Sequence, residues 1–379
     1  MKTLFWMAAF TAAYSYFIYA ALLFVLPRRR PGVVRPEPAE LPMVTLIIAA
    51  YNEEQRIATK LDNALAIDYP RDKLEIIVAS DCSDDATDAV VKRYAGQDQR
   101  VRLVRADRRQ GKEYAQHCAI VKARGGILVF SDVATHLPGD AISLLVKYFE
   151  DPAIGAVSSE DRLISQDGSV AGEGAYVRYE MWLRRQESRR AGLVGLSGSF
   201  FAARKTVCEP WDIYSPSDFN TALNCVQHGM IAVTAPDVLG YYKDIVDGRR
   251  EYQRKVRTAL RGMTALTRHR EVLNPCRYRW FSFQLWSHKV MRWAVPWALP
   301  LLLVTSVALR GQGLIYQLAL WTQLVFYGLG LLAWAVPPVR AVGPVRIIFF
   351  FLQANLALAE ALVKLLSGER MYVWQPSQR

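Results

Sequence analysis

The fold is decided by the stretch VTLIIAAYNEE, residues 44–54, where a mostly apolar run ends abruptly in polar and acidic residues. A short apolar run bounded by a polar loop is typical of a buried β-strand. Similar apolar runs recur downstream at Leu74–Ala79, Val101–Val104 and Ile127–Phe130. Helical patterns begin near Glu53, Asp85 and Gly111. This alternation of strand and helix predicts an α/β fold with a mostly parallel sheet covered on both faces.

Polar and acidic residues follow three of the four predicted strands. These loops are Ala50–Glu54, Ser80–Asp85 and Ser131–Thr135. Ligands of open parallel sheets bind outside the carboxyl ends of the strands, so we expect the three loops to meet at one edge. Asn52 or Ser83 could instead simply cap the following helix. Three such loops together favour a binding site.

Both ends of the chain contain long apolar segments. Leu4–Leu26 carries no charge and is long enough for a helix to cross a bilayer, which takes roughly 20 apolar residues. Three arginines follow it at 28–30, an order that predicts a retained anchor with the next domain in the cytoplasm. Further apolar runs are Trp293–Leu309, Leu314–Val336 and Ile347–Leu366. Because prolines interrupt the first of these runs, the sequence does not decide between two and three C-terminal spans.

The excess positive charge is concentrated near the C-terminal apolar runs. The 379 residues contain 47 Lys and Arg against 35 Asp and Glu, and many of the basic residues lie between Arg249 and Arg292 among aromatic residues. Next to membrane segments, this pattern predicts interfacial helices on anionic lipid. Nucleic-acid binding would use the same charge, but membrane attachment already accounts for it. Five cysteines without a CxxC pair predict reduced thiols and no zinc site.

With these loops in place, the chain resembles the membrane-bound branch of the family 2 glycosyltransferases, which includes polysaccharide synthases and glycolipid-forming enzymes. The resemblance runs from about Val44 to Arg261. It implies a GT-A fold, related to a Rossmann sheet, with transmembrane helices at both ends. It also implies an inverting transfer of sugar from a nucleoside diphosphate donor, with a UDP-sugar as the usual one.

The implied domain organisation places the catalytic unit between membrane segments. An N-terminal transmembrane anchor occupies 1–27, a linker 28–42, the cytoplasmic GT-A domain 43–245, basic interface helices 246–290, transmembrane helices 291–367 and a tail 368–379. We expect a multi-pass protein of the bacterial inner membrane.

The resemblance assigns the donor site to the first two acidic loops and to a lysine. Tyr51, Asn52, Glu53 and Asp81 would hold the base and ribose of the donor. A carboxylate can accept a hydrogen bond from the N3 proton of uracil, which suits Asp81. Lys112 would lie near the phosphates, although a lysine at a helix start can also be simply solvated.

The resemblance also predicts a divalent metal, Mg²⁺ or Mn²⁺. Asp132 matches the first aspartate of the metal-binding DxD motif, whereas Ala134 stands in the place of the second. Magnesium prefers oxygen ligands, and the donor diphosphate and water can supply most of them. Asp132 is therefore the one predicted metal ligand of the chain.

On the acceptor side, the resemblance makes Asp218 the general base that takes the proton of the acceptor hydroxyl. Ser217 stands where the family usually has another acidic residue. Arg254 and Arg257 resemble the family's (Q/R)xxRW motif, in which Arg257 would stabilise the leaving diphosphate. Thr258 replaces the motif's tryptophan.

These features predict single or limited sugar transfer to a lipid-linked, polysaccharide or other membrane-proximal acceptor in surface polysaccharide or glycolipid synthesis. A processive polysaccharide synthase is the alternative, completing its channel as a homo-oligomer or with partner proteins. Thr258 and the small number of spans argue against it. A third possibility is a subunit that has lost catalysis, motivated by Ala134, Ser217 and Thr258.

Overall fold

A computed structural model describes residues 1–29, 40–164, 175–243, 248–369 and 371. Most of the predicted linker at 28–42, the predicted domain boundary at 245/246 and most of the predicted tail at 368–379 therefore lie outside the described residues. The strands are β1 Val44–Ala50, β2 Leu74–Ser80, β3 Val101–Arg105, β4 Ile127–Asp132, β5 Ile154–Ile164, β6 Phe200–Arg204 and β7 Ile231–Lys243.

The helices fall into a set with mixed polar and apolar residues and a long apolar set. The first set is α2 Ile57–Leu65, α3 Thr87–Gln97, α4 Lys112–Lys122, α5 Ala141–Lys147, α6 Ala175–Ser188, α7 Ser217–Gln227 and α8 Gly248–Arg268. The second set is α1 Lys2–Val25, α9 Pro275–Leu309, α10 Leu314–Ala335 and α11 Gly343–Leu366.

The strands described form one mixed sheet in the order β3-β2-β1-β4-β6-β5-β7. The four predicted strands are parallel to one another, with Val44 of β1 opposite Leu74 of β2 and Ile127 of β4. Strand β6 runs antiparallel to both β4 and β5, whereas β5 and β7 are again parallel. The predicted α/β sheet is confirmed, and the single reversed strand is an addition to it.

Both faces of the sheet are covered. Successive residues of β1 point to opposite faces, so Ile48 packs with α2 and α5 while Ile47 packs with α4 and α7. Both side chains are fully buried. Burial of each such side chain contributes about 1.5–3 kcal/mol. This two-sided core fixes the strand ends, and hence the loops that follow them.

The long apolar helices confirm the predicted membrane character. Among the described residues, α1, α9, α10 and α11 are long and apolar enough to cross a membrane. Helix α1 packs along α9, and α11 packs on α8. The run predicted at Trp293–Leu309 is the second half of α9, a 35-residue helix that passes through the predicted boundary at 290/291.

Two π-helical turns meet where the membrane helices reach the catalytic domain. One is Tyr14–Ile18 within α1, and the other is Trp286–Val290 within α9. The hydroxyl of Tyr14 and the Oγ of Ser287 lie 2.9 Å apart. The widened turns are thus joined by a polar contact between the two helices.

Candidate active site

The first two acidic loops are tied to each other by hydrogen bonds. The backbone N–H of Asn52 donates to Ser83 Oγ at 3.2 Å, and Asn52 Oδ1 accepts from the backbone N–H of Asp84 at 3.1 Å. Asn52 has φ of 52°, in the left-handed region that asparagine tolerates better than most residues. The loops after β1 and β2 therefore form one unit at the sheet edge, as predicted.

Asp81 holds the turn that precedes α4. Its two carboxylate oxygens accept hydrogen bonds from the backbone N–H groups of Gln110 at 3.0 Å and Gly111 at 2.9 Å. Gly111 has φ of 100°, which favours glycine. Asp81 is 1% exposed, and burial raises the pKa of its carboxyl group. Asp81 thus stabilises the turn that precedes Lys112. Its predicted contact with the base of the nucleotide donor stays a prediction.

The loops that follow β1 and β3 bring an aromatic ring close to charged groups. The guanidinium of Arg109 lies 3.8 Å from the ring centroid of Tyr51. Glu53 is buried and pairs with Arg56 at 2.7 Å, and burial raises the pKa of Glu53. Arg109 was not indicated by the sequence, since its stacking depends on a loop distant along the chain.

Lys112 and Asp132 form the centre of the site. Lys112 Nζ lies 2.5 Å from Asp132 Oδ1 and 3.1 Å from the backbone oxygen of Gly198. Asp132 ends β4, and Lys112 begins α4, so the core on one face of the sheet positions both. The alternative that Lys112 is a solvated helix-start lysine is wrong, because only 8% of it is exposed.

The surroundings of Asp132 suit a metal ion that takes most of its ligands from substrate phosphates and water rather than from the protein. No group of three or more His, Cys, Asp or Glu side chains suited to a metal occurs in the part of the chain that the structure describes. The side chain of Asp132 is 27% exposed, and Lys112 contacts its Oδ1. Mg²⁺ is often bound through one or two carboxylates together with substrate phosphates and water.

Asp218 lies in the first turn of α7, beside the loop that contains Gly198. A Cβ added at Gly198 would lie 3.4 Å from Asp218 Oδ2, so glycine lets the loop approach the carboxylate closely. Desolvation raises the pKa of Asp218, and the charges of Lys112 and Arg261 partly oppose this. A carboxylate with a raised pKa is a better proton acceptor.

A buried ion pair next to Asp218 was missed by the sequence analysis. Arg261 of α8 lies 2.7 Å from Glu113 Oε1, with side-chain exposures of 11% and 2%. Glu113 belongs to none of the motifs that predict the site residues. The only available signal was its position directly after Lys112.

Lys60 was likewise missed. Its Nζ donates to Ser131 Oγ at 2.8 Å and to the backbone oxygen of Thr135 at 2.5 Å, and so it holds the loop that contains Asp132. Burial lowers the pKa of Lys60 to about 7. A lone lysine in α2 gives no sequence signal for this role.

One large cavity connects these groups with the membrane helices. Its volume is about 2070 Å³. Of the sequence-predicted residues, those that line it are Glu53, Lys112, Asp132, Asp218, Arg254 and Arg257. Tyr51, Asn52 and Asp81 do not line it and belong to the adjoining loops. Thr258 lines the same cavity, and so do Phe17 of α1 and Phe350 of α11.

A mixed α/β sheet with a carboxylate edge and a cavity open toward apolar helices defines a GT-A-type, membrane-associated glycosyltransferase. Residues 45–209 match the sequence model of Glycosyl transferase family 2. The resemblance predicted from the sequence is thereby confirmed.

Characterised relatives agree with this assignment. The chain is 26% identical over 193 residues to β-monoglucosyldiacylglycerol synthase of Synechocystis sp., covering 49% of this chain and 40% of that protein. It is 24% identical over 202 residues to poly-β-1,6-N-acetyl-D-glucosamine synthase of Staphylococcus epidermidis, covering 52% and 48%. The chain thus matches half or less of the length of these relatives.

A solved structure resembles nearly the whole chain. The mannosyltransferase PcManGT from Pyrobaculum calidifontis, in complex with GDP-Man and Mn²⁺, superimposes with a TM-score of 0.70 and 26% identity, covering 97% of this chain and all of that one. The long apolar helices are therefore included in the likeness.

Proposed function

We propose that this protein is an inverting glycosyltransferase that moves a sugar from a nucleoside diphosphate donor to a lipid-linked or membrane-proximal acceptor, in bacterial surface polysaccharide or glycolipid synthesis. One observation carries the proposal. Asp132, Lys112, Asp218 and Arg257 line a single cavity that runs from the sheet edge to the apolar helices. Donor and lipid acceptor can therefore meet in it.

The donor end of the cavity suits a nucleotide sugar. Lys112 and Arg257 supply positive charge for the diphosphate, and guanidinium groups bind phosphate oxygens well. Mg²⁺ or Mn²⁺ held by Asp132 would neutralise charge on the same diphosphate. A uridine diphosphate sugar is the expected donor, and GDP-mannose is the second one to test because PcManGT was solved with GDP-Man.

At the acceptor end, Asp218 takes the proton from the attacking hydroxyl. The acceptor oxygen bonds to the anomeric carbon from the face opposite the leaving group, which inverts that carbon. The bond from this carbon to the donor diphosphate breaks, and its electron pair leaves with the diphosphate. Arg257 and Lys112 stabilise that negative charge.

The attachment of the segment after α1 to the catalytic domain supports the proposed orientation in the membrane. Arg29, which follows α1, forms an ion pair with Asp151 and donates its backbone N–H to the Arg189 oxygen at 2.9 Å. Positive residues favour the cytoplasmic side. We therefore propose that the catalytic domain lies in the cytoplasm, against the inner membrane.

The test begins with nucleotide binding to the purified full chain in nanodiscs. UDP, GDP and dTDP are titrated with and without Mn²⁺, and thermal stability is measured. A ligand at 100 times its Kd stabilises by about 2.7 kcal/mol, so binding is visible. Sugar transfer from the matching donors to lipid extracts follows, with Asp218→Asn as the inactive control. The proposal fails if nucleotide binds and no donor yields a glycosylated product.

A protein that has lost catalysis would give a different combination of nucleotide binding and product formation. A protein that only binds nucleotide would show the thermal shift in both the unchanged chain and Asp218→Asn, with no product from either. A processive synthase would give products of high and heterogeneous mass. Limited transfer predicts one or a few added sugars, which mass spectrometry resolves.

A further inference from the structure

Some of the Lys and Arg side chains that line the cavity form an ion pair with a carboxylate, and others do not. The pairs include Lys112 with Asp132, Arg261 with Glu113 and Arg292 with Glu180. Lys289 and Arg184 also line the cavity, and both reach the loop that contains Gly195 and Ser197. Neither forms an ion pair with any carboxylate in the described ranges. They are therefore available for an anion that enters the cavity.

Lys289 reaches the loop on the acceptor side of the site. A Cβ added at Gly195 would lie 3.9 Å from Lys289 Nζ, and this ammonium has no hydrogen-bond acceptor among the residues described. Two carboxylates lie nearby but are already engaged. Glu180 Oε1 accepts from Arg292 at 2.8 Å, and Glu187 Oε1 accepts from Tyr19 at 2.6 Å.

Arg184 presents a second unused donor. Its Nη2 donates to Ser158 Oγ at 2.6 Å, whereas its Nε is buried without an acceptor in the described part of the protein. The nearby carboxylate of Asp161 instead accepts hydrogen bonds from Ser197 and Ser199. A buried donor without an acceptor costs about 1–3 kcal/mol, and an incoming anion would remove that cost.

Lys289 and Arg184 lie in the part of the cavity that would hold a lipid headgroup, apart from the part that would hold its hydrocarbon chain. Gly195 and Gly198 belong to one loop, and Gly198 lies against Asp218. Farther along the cavity, the wall includes Phe17 and Phe350 of the apolar helices, with exposures of 72% and 48%. A lipid with its headgroup near Asp218 would place its hydrocarbon chain along these rings.

We propose that the acceptor is a lipid whose headgroup carries a phosphate, and that Lys289 and Arg184 bind this phosphate beside Asp218. The inference rests on the proposed function and specifies its acceptor. In a phospholipid, a headgroup hydroxyl attacks the anomeric carbon and its proton passes to Asp218. In a lipid monophosphate, the hydroxyl of the monoanionic phosphate attacks, and its proton likewise passes to Asp218. In both cases the diphosphate leaves with the electron pair of its bond to the sugar.

Soluble short-chain probes test the site by calorimetry on the full chain in neutral detergent. The probes are dihexanoylphosphatidylglycerol, geranyl phosphate and the uncharged dihexanoylglycerol. Lys289→Met is compared with Arg277→Met, because Arg277 is exposed in the same basic segment and does not line the cavity. Arg184→Lys and Lys289→Arg preserve charge, and the nucleotide-induced thermal shift of each variant reports an intact donor site.

We expect Lys289→Met to weaken binding of a phosphate probe by about tenfold or more, with Lys289→Arg restoring most of it and Arg277→Met unchanged. Binding of one phosphate probe alone identifies which source the site takes. Equal binding of dihexanoylglycerol, or equal loss in Lys289→Met and Arg277→Met, overturns the proposal. Loss of nucleotide binding in the unchanged chain would instead count against the proposed function itself.

Discussion

Lys112 Nζ lies 2.5 Å from Asp132 Oδ1, so one ammonium both holds the predicted metal ligand and faces the cavity. Replacing Lys112 therefore removes a positive charge and frees Asp132 at once. We predict that Lys112→Met lowers kcat/KM for sugar transfer by about 10²-fold or more. Lys122→Met, an exposed lysine at the far end of the same helix, is the matched control. Equal activity of the two variants would contradict the role of Lys112.

Asp218 is predicted to act as the base, and its pKa is raised above the usual 3.8 by desolvation. The carboxylate must be ionised to take a proton, so the transfer rate should fall as pH falls through this raised pKa. Asp218→Asn should lower kcat by about 10²–10⁴-fold and abolish that acid limb. Nucleotide affinity should stay within about twofold, since the substitution removes proton transfer and leaves the donor contacts. An Asp218→Asn variant with an unchanged pH–rate profile would exclude this base.

Ala134 leaves Asp132 as the one carboxylate of the predicted metal motif. We predict that Ala134→Asp increases Mn²⁺ affinity in the absence of nucleotide, because it adds an oxygen ligand two residues from Asp132. Electron paramagnetic resonance of free Mn²⁺ measures this directly. Ala134→Asn adds an uncharged oxygen of similar size and should give a smaller increase. No gain with either variant would indicate that residue 134 does not reach the ion.

Glu113 and Arg261 form a buried pair beside Asp218. Removing one partner leaves an uncompensated charge, which costs about 3–5 kcal/mol in buried pairs. Arg261→Met should therefore lower stability markedly, and the double variant Glu113→Gln with Arg261→Met should lose less than the sum of the single variants. Denaturant midpoints in one detergent measure all four proteins. Additive losses would show that the two side chains do not interact energetically.

Lys60 gives a prediction for pH dependence. Its pKa is about 7 in the folded protein, against 10.5 ordinarily. Between these values the unfolded chain binds more protons, so the free energy of unfolding should rise with pH, by up to about 1.4 kcal/mol per unit. Below pH 7 the cost of the buried charge is fully present. Lys60→Met should flatten the rise relative to the unchanged chain, and parallel stability curves would contradict the assignment.

The strands that carry the donor edge could be predicted from the sequence, and those of the second half could not. β1 to β4 are short apolar runs with sharp polar ends, and their predicted bounds agree with the structure to within two residues. β5 contains Glu160, which is 2% exposed and pairs with Arg185. A buried charge of this kind interrupts the apolar pattern, and its partner Arg185 comes from α6, which the sequence did not place beside β5.

The residues of the candidate site also divide into those that could be predicted from the sequence and those that could not. Asp132 and Asp218 were found because a family motif fixes their positions relative to loops. Lys60 and Lys289 belong to no such motif, since their positions depend on elements far apart in the chain. The reversed direction of β6 was also missed, because an alternation of strand and helix favours parallel strands and β6 departs from that rule.

The paired π-turns of α1 and α9 have a consequence for how this protein tolerates insertions and deletions. A π-turn holds one residue more than an α-helical turn in the same length of helix. Deleting one residue at Tyr14–Ile18 or Trp286–Val290 would restore regular α-helical winding and leave the faces on either side nearly unrotated, whereas deleting one in the regular part of the same helix would rotate everything beyond it by about 100°. The two π-turns are therefore positions where α1 and α9 should tolerate the loss of one residue with their lipid-exposed faces still toward the lipid.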